Sequence, residues 1–220
     1  MNRRVAAIFA LAVLIAALGV SPALAQKESP MHFGVKLGVN ISDIRGMEGM
    51  SWAADLIDWK TGFCGGVFMS YKVNNWFTLQ PELLYSMKGM KFGFLTESLL
   101  TISLDYIEIP VLAMADIPLE GTLRPFFYAG PVIGFNVRSN IAVAFEDFDA
   151  ETDMGEFVNG TEFSLALGLG LNIRIAGRDA ILDFRYEPGL TNIFTSEVTD
   201  NAENADWKND TIAILLGIRI

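Results

Sequence analysis

Phe163-Ser164-Leu165-Ala166-Leu167-Gly168-Leu169-Gly170-Leu171-Asn172-Ile173-Arg174-Ile175 is the stretch that decides the fold. Every odd position is Phe, Leu or Ile, and every even position is Ser, Ala, Gly, Asn or Arg. Successive side chains of a strand point to opposite faces, so this segment has one purely apolar face and one small or polar face. An ordinary soluble strand runs about 5–6 residues, whereas a tilted strand that crosses a bilayer needs about 9–11. This one sustains its alternation for 13 residues.

The pattern recurs along the chain. Ile212, Ile214, Leu216, Ile218 and Ile220 alternate with Thr211, Ala213, Leu215, Gly217 and Arg219, and Phe33, Val35, Leu37, Val39 and Ile41 with Gly34, Lys36, Gly38, Asn40 and Ser42. Five less regular segments, 61–73, 76–89, 102–114, 125–138 and 180–192, bring the expected total to about eight strands. One face is nearly pure Leu, Ile, Val and Phe. The other is small or charged, with Lys36, Glu82, Lys88, Glu108, Arg138, Arg174, Asp183, Arg185, Glu187 and Arg219.

Periodicity alone does not say which face is inside. Three further features do. The strands are long, Gly and Ala are scattered over the polar face as a narrow barrel interior requires, and the connections alternate in length. The turns at 72–75 and 176–179 are tight and 116–123 is moderate, whereas 43–60, 89–101, 139–160 and 195–209 are long. Trp52, Trp59, Tyr71, Trp76, Tyr85, Tyr186 and Trp207 fall in loops or near strand ends, as interfacial aromatic girdles do, with loop packing as the alternative for Trp52, Trp59 and Trp207. The expected fold is an all-β, antiparallel, up-and-down transmembrane β-barrel of about eight strands.

The N-terminus reads as an export signal. Met1-Asn2-Arg3-Arg4 is basic, residues 5–20 are apolar, and Ala23-Leu24-Ala25 is a small-residue cleavage site. Residues 1–25 are therefore expected to be a signal peptide and 26–220 the barrel. The chain is 51% hydrophobic, yet past this segment no apolar run approaches the ~20 residues of a membrane-spanning helix. Its formal charge of −10, without a basic cluster, argues against nucleic acid as a partner. The single cysteine, Cys64, allows no internal disulfide and no cysteine-based metal site.

Several stretches carry a family resemblance: residues 33–42 (FGVKLGVNIS), 79–89 (LQPELLYSMKG), 106–112 (YIEIPVL) and 125–134, in that order. Together they resemble the PorT-like, or porin-family, outer-membrane β-barrel domain of Bacteroidetes. The resemblance spans nearly all of the chain after residue 25. It implies a bacterial outer-membrane location with the N-terminus in the periplasm, and outer-membrane lipid as the immediate partner. Other envelope proteins are a further partner class, and a role as an accessory of a secretion system follows by analogy.

The inward charges are the first candidate site. Lys36, Glu82, Lys88, Glu108, Arg174, Asp183, Arg185, Glu187 and Arg219 would not sit unpaired in a narrow interior. They make either an ion-pair network that fills the lumen or a charged constriction that selects ions. Pro81 and Pro110 remove ladder donors and are expected to sit at bulges. A second candidate is Asp147, Asp149, Glu151 and Asp153 in the third long connection, whose alternate acids would suit Ca²⁺ if they converged, although the EF-hand spacing is absent. Glu197, Asp200, Glu203 and Asp206 make the fourth long connection acidic too. Neither a cofactor nor a resident metal is expected. His32 is the only histidine and lies at the start of the first strand, so no general base of the usual type stands at the opposite rim. The reading is a non-enzymatic structural or interaction barrel plugged by its inward charges, with a narrow porin-like channel for small solutes or ions as the alternative.

Overall fold

The computed structural model describes residues 30–46, 57–95, 98–117, 119, 121–145, 148–175, 177–196, 198 and 206–220. The signal-type segment 1–25 and Trp52 lie outside them. Nine strands follow in order: β1 (Met31–Arg45), β2 (Ile57–Lys72), β3 (Phe77–Leu95), β4 (Ser98–Asp116), β5 (Leu123–Phe145), β6 (Phe148–Asp153), β7 (Thr161–Ile175), β8 (Arg178–Pro188) and β9 (Lys208–Arg219). Eight of them close a ring, β1-β2-β3-β4-β5-β7-β8-β9, in which β9 returns to β1 and every pairing is antiparallel. Closure leaves the barrel wall no free edge. β6 pairs only with the far end of β5 and stands above the ring.

The short connections and both ends of the barrel's strand order fall at one mouth, the short-turn end. The long connections fall at the other, the long-loop end. Exposure is inverted relative to a soluble protein. Phe33, Phe127, Leu169 and Leu216 are each 57–61% exposed, whereas Lys36 is 1% and Asp183 0% exposed. Water would reject that outer surface and hydrocarbon accepts it.

Three departures from the sequence reading have physical causes. β3 and β4 run 19 residues each and β5 runs 23, so most of 89–101 and part of 139–160 are extended hairpin rather than loop. Strand beyond the apolar band no longer faces lipid on one side, so its sequence loses the alternation. β8 conversely stops at Pro188, short of residue 192. Pro81 and Pro110 do not make bulges: the register is unchanged across both, and only a few ladder pairs are skipped beside them.

The bulges lie elsewhere. On β5, Asn136 pairs with Tyr106 and Arg138 with Asp105, so Val137 is an extra residue. A one-residue insertion moves every later side chain to the other face. Arg138 therefore leaves the inward set and points outward, where it meets Glu151 of β6 at 2.6 Å.

Candidate functional site

The lumen is built in layers, and β5 shows the first of them: Arg124 at the short-turn mouth, then Phe126, then Tyr128. Phe126 and Tyr128 stack with centroids 6.1 Å apart, and with Phe68, Met114 and Ile181 they form an apolar floor beneath that mouth. Glycines on the facing strands make this possible. Phe126 pairs with Gly170, Tyr128 with Gly168 and Phe68 with Gly34. A Cβ on any of the three glycines would come within 2.2–2.4 Å of the paired ring.

Above this floor lies the first charge centre. Lys36 Nζ donates to Glu82 Oε1 at 2.8 Å and to Asp183 Oδ2 at 2.6 Å. Arg185 donates to Glu82 Oε2 at 2.7 Å and to the Tyr128 hydroxyl at 3.0 Å. That hydroxyl in turn donates to Asp183 Oδ1 at 2.6 Å, and Gln80 donates to Glu82. The cations Lys36 and Arg185 match the anions Glu82 and Asp183. All four side chains are 0–2% exposed. Three strands, β1, β3 and β8, supply them and β5 adds Tyr128, so the set exists only once the ring closes.

Cys64, Leu84, Ala213 and Leu215 form an apolar spacer on the β2, β3 and β9 walls. Beyond it, Lys88 faces three carboxylates: Glu108 at 2.7 Å, Glu187 at 2.8 Å and Glu162 at 3.5 Å. Ser164 donates to Glu187, and Asn209 donates to Glu162 at 2.7 Å. Each of the three central cations also lies over a ring, Lys36 on Phe68, Lys88 on Tyr106 and Arg185 on Tyr128, at 5.4–5.5 Å.

A hydrophobic cap closes the long-loop end. Ile44, Met90, Phe92, Leu104 and Tyr106 come from the strands, and Val158, Ile193, Phe194 and Trp207 from the long connections. Phe194 and Trp207 meet edge to face at 5.2 Å. Trp207 is thus a core residue, not part of a girdle. Tyr85 is also only 7% exposed, and its hydroxyl donates to Asp105 at 2.6 Å. Trp59, Tyr71, Trp76 and Tyr186 are 41–59% exposed, in keeping with girdle positions. Replacing Trp207 with Ala is expected to cost about 3–5 kcal/mol, measured as a lower urea midpoint of the refolded barrel.

Of the inward charges read from the sequence, Lys36, Glu82, Asp183 and Arg185 meet in one centre and Lys88, Glu108 and Glu187 in the other. Arg174 and Arg219 join neither. They lie at the short-turn mouth, paired to Asp179 at 3.2 and 3.0 Å, and the Arg174 side chain is 59% exposed. Glu162, Tyr128 and Asn209 were missed. Glu162 continues the even face of the β7 alternation by one residue, and that parity would have found it. Glu151 and Asp153 of β6 are engaged separately, and the side chain of Asp149 lies outside the described residues. Glu151 accepts from Asn140 and Arg138, which hold its carboxyl below the usual carboxylate range. Asp153 accepts from the Gly155 N–H at 2.7 Å, and Asp147 lies outside the described residues. Among the described residues, no group of three His, Cys, Asp or Glu side chains is placed to hold a metal ion.

An apolar exterior around a closed, charge-lined ring defines a small outer-membrane β-barrel. The chain belongs to the outer membrane protein beta-barrel domain family, whose model matches residues 24–195. No curated protein matches it significantly. Among solved structures, Ail, the attachment invasion locus protein of Yersinia pestis, is similar at 14% identity and a TM-score of 0.42, covering 86% of this chain and 98% of its own. Neisserial surface protein A is similar at 10% identity and a TM-score of 0.44, covering 89% and 100%. OprG of Pseudomonas aeruginosa is similar at 11% identity and a TM-score of 0.39, covering 86% and 95%.

Proposed function

We propose that this barrel is a plugged, non-conducting structural or interaction protein of the bacterial outer membrane. The observation that carries the reading is the filled lumen. Two charge centres are stacked between an aromatic floor and a hydrophobic cap, and the charged side chains in them are 0–4% exposed. An eight-stranded barrel is just wide enough for side chains to fill it, and here ion pairs, rings and small residues do so. A conducting path would have to separate cations from carboxylates in a low-dielectric interior, which is costly when partners are left unpaired.

In this reading the N-terminus and short turns face the periplasm, and the capped end, with the β5–β6 hairpin standing above it, faces outward to meet other envelope components. The narrower PorT-like resemblance of the motifs suits such a role. The refolded full-length barrel, checked for heat-modifiable gel mobility, is expected to be silent in a planar bilayer. Steady, salt-dependent conductance, altered by Glu108→Gln, would instead assign it a narrow channel.

A further inference from the structure

The short-turn mouth opens into a cavity of about 560 Å³ that the plug does not use. Its wall is basic in an otherwise acidic chain. Lys72, Arg124, Arg174 and Arg219 line it, against only Asp116 and Asp179 among the described residues. Three guanidiniums converge on the single Asp179 carboxylate, from Arg124 at 2.7 Å, Arg219 at 3.0 Å and Arg174 at 3.2 Å. One carboxylate cannot accept from all their donors. Arg219 Nε is buried and has no hydrogen-bond partner. Asn172, 3% exposed and also lining the cavity, has an Oδ1 in the same condition. Asp116 is engaged by Thr78, and no carboxylate among the described residues lies within ion-pairing distance of Lys72. Two residues inward of the lining Ser70 and Arg124 stand Phe68 and Phe126, which are 2–3% exposed.

We propose that this vestibule is a binding site for a compact phosphate-bearing anion. The lining carries two more positive than negative formal charges, and a phosphate monoester carries about −1.5 to −2 at neutral pH. The guanidinium forks suit several oxygens of one tetrahedral group. Asp179 acts as a positioning residue that holds the three arginines together until the anion arrives. The site does not depend on the plug: a conducting barrel could still bind phosphate, and a silent one could fail to.

The test is a phosphorus NMR titration of inorganic phosphate with the refolded full-length barrel in non-ionic micelles. Saturable binding at one site is expected. Arg124→Gln with Arg174→Gln should weaken it about tenfold or more. Both side chains are partly exposed (33% and 59%), so the variant is expected to keep the heat-modifiable fold. Arg45→Gln with Arg138→Gln, at the long-loop end, should leave binding unchanged. Adding phosphatidylglycerol to the micelles separates the sources. Competition assigns the phosphate to a lipid headgroup, and its absence assigns it to a soluble anion. Unsaturable binding, or binding that survives the loss of Arg124 and Arg174, would overturn the proposal.

Discussion

Lys88→Met is expected to abolish the folded, heat-modifiable form at neutral pH, or to cost the barrel about 3–5 kcal/mol. Among the described residues, Lys88 is the only ammonium within 4 Å of Glu108, Glu162 and Glu187, all of them 2–3% exposed. Removing it leaves three buried carboxylates without their close cation, with Arg185 acting on Glu187 only from farther off. The effect should exceed that of Lys36→Met, because in that centre Arg185 still reaches Glu82 at 2.7 Å and Asp183 at 3.5 Å. The cause can be separated from lost packing. Adding Glu108→Gln and Glu187→Gln to Lys88→Met removes two of the stranded charges, and urea unfolding should show much of the stability restored. No recovery would mean that the lysine acts through its methylenes.

Gly168→Val is expected to damage the barrel severely without changing its charge, costing about 3 kcal/mol or more. A Cβ at Gly168 would stand 2.2 Å from Tyr128 Cζ and 2.3 Å from its hydroxyl. The ring would have to leave, and its bonds to Asp183 and Arg185 would go with it. The steric and electrostatic parts separate in the double variant Gly168→Val with Tyr128→Ala, which relieves the first but not the second. Gly160→Ala is the control, since open space surrounds that position, and its urea midpoint should match the wild type.

The two predictions rest on features of unequal legibility. The outer face was readable because lipid demands an apolar residue at every second position, and Phe163 to Ile175 obeys this throughout. The inward residues were readable as a set for the same reason. Their partners were not. Lys36 meets Asp183 across 147 positions of sequence, and only ring closure decides which facing strands bring charges to one height. Periodicity therefore could not divide nine charged residues into two centres and a mouth. Arg138 was misplaced because the extra residue, Val137, reverses parity without any Gly or Pro to mark it. The prolines that do stand out, Pro81 and Pro110, leave the register alone. Trp207 looked interfacial because its neighbours are polar, whereas its packing partners are Phe194, near the other end of the same β8–β9 connection, and Ile44 on β1.

The filled lumen is the centre of this account, and the chain carries its own probe of it. Cys64 is the only cysteine, is 2% exposed, and sits in the apolar spacer on the inner wall beside Leu84 and Leu215. The measurement is the labelling rate of Cys64 by a small, charged methanethiosulfonate in the refolded barrel. The denatured chain serves as the reference, and Asn75→Cys, at an exposed position lining the short-turn cavity, reports a water-accessible thiol. The account expects the Asn75→Cys variant to label quickly at its new thiol while Cys64 stays unlabelled until the barrel is unfolded. Labelling of Cys64 in the folded barrel at a rate near that of the denatured chain would contradict it, since only a water-filled lumen would admit the reagent to that depth.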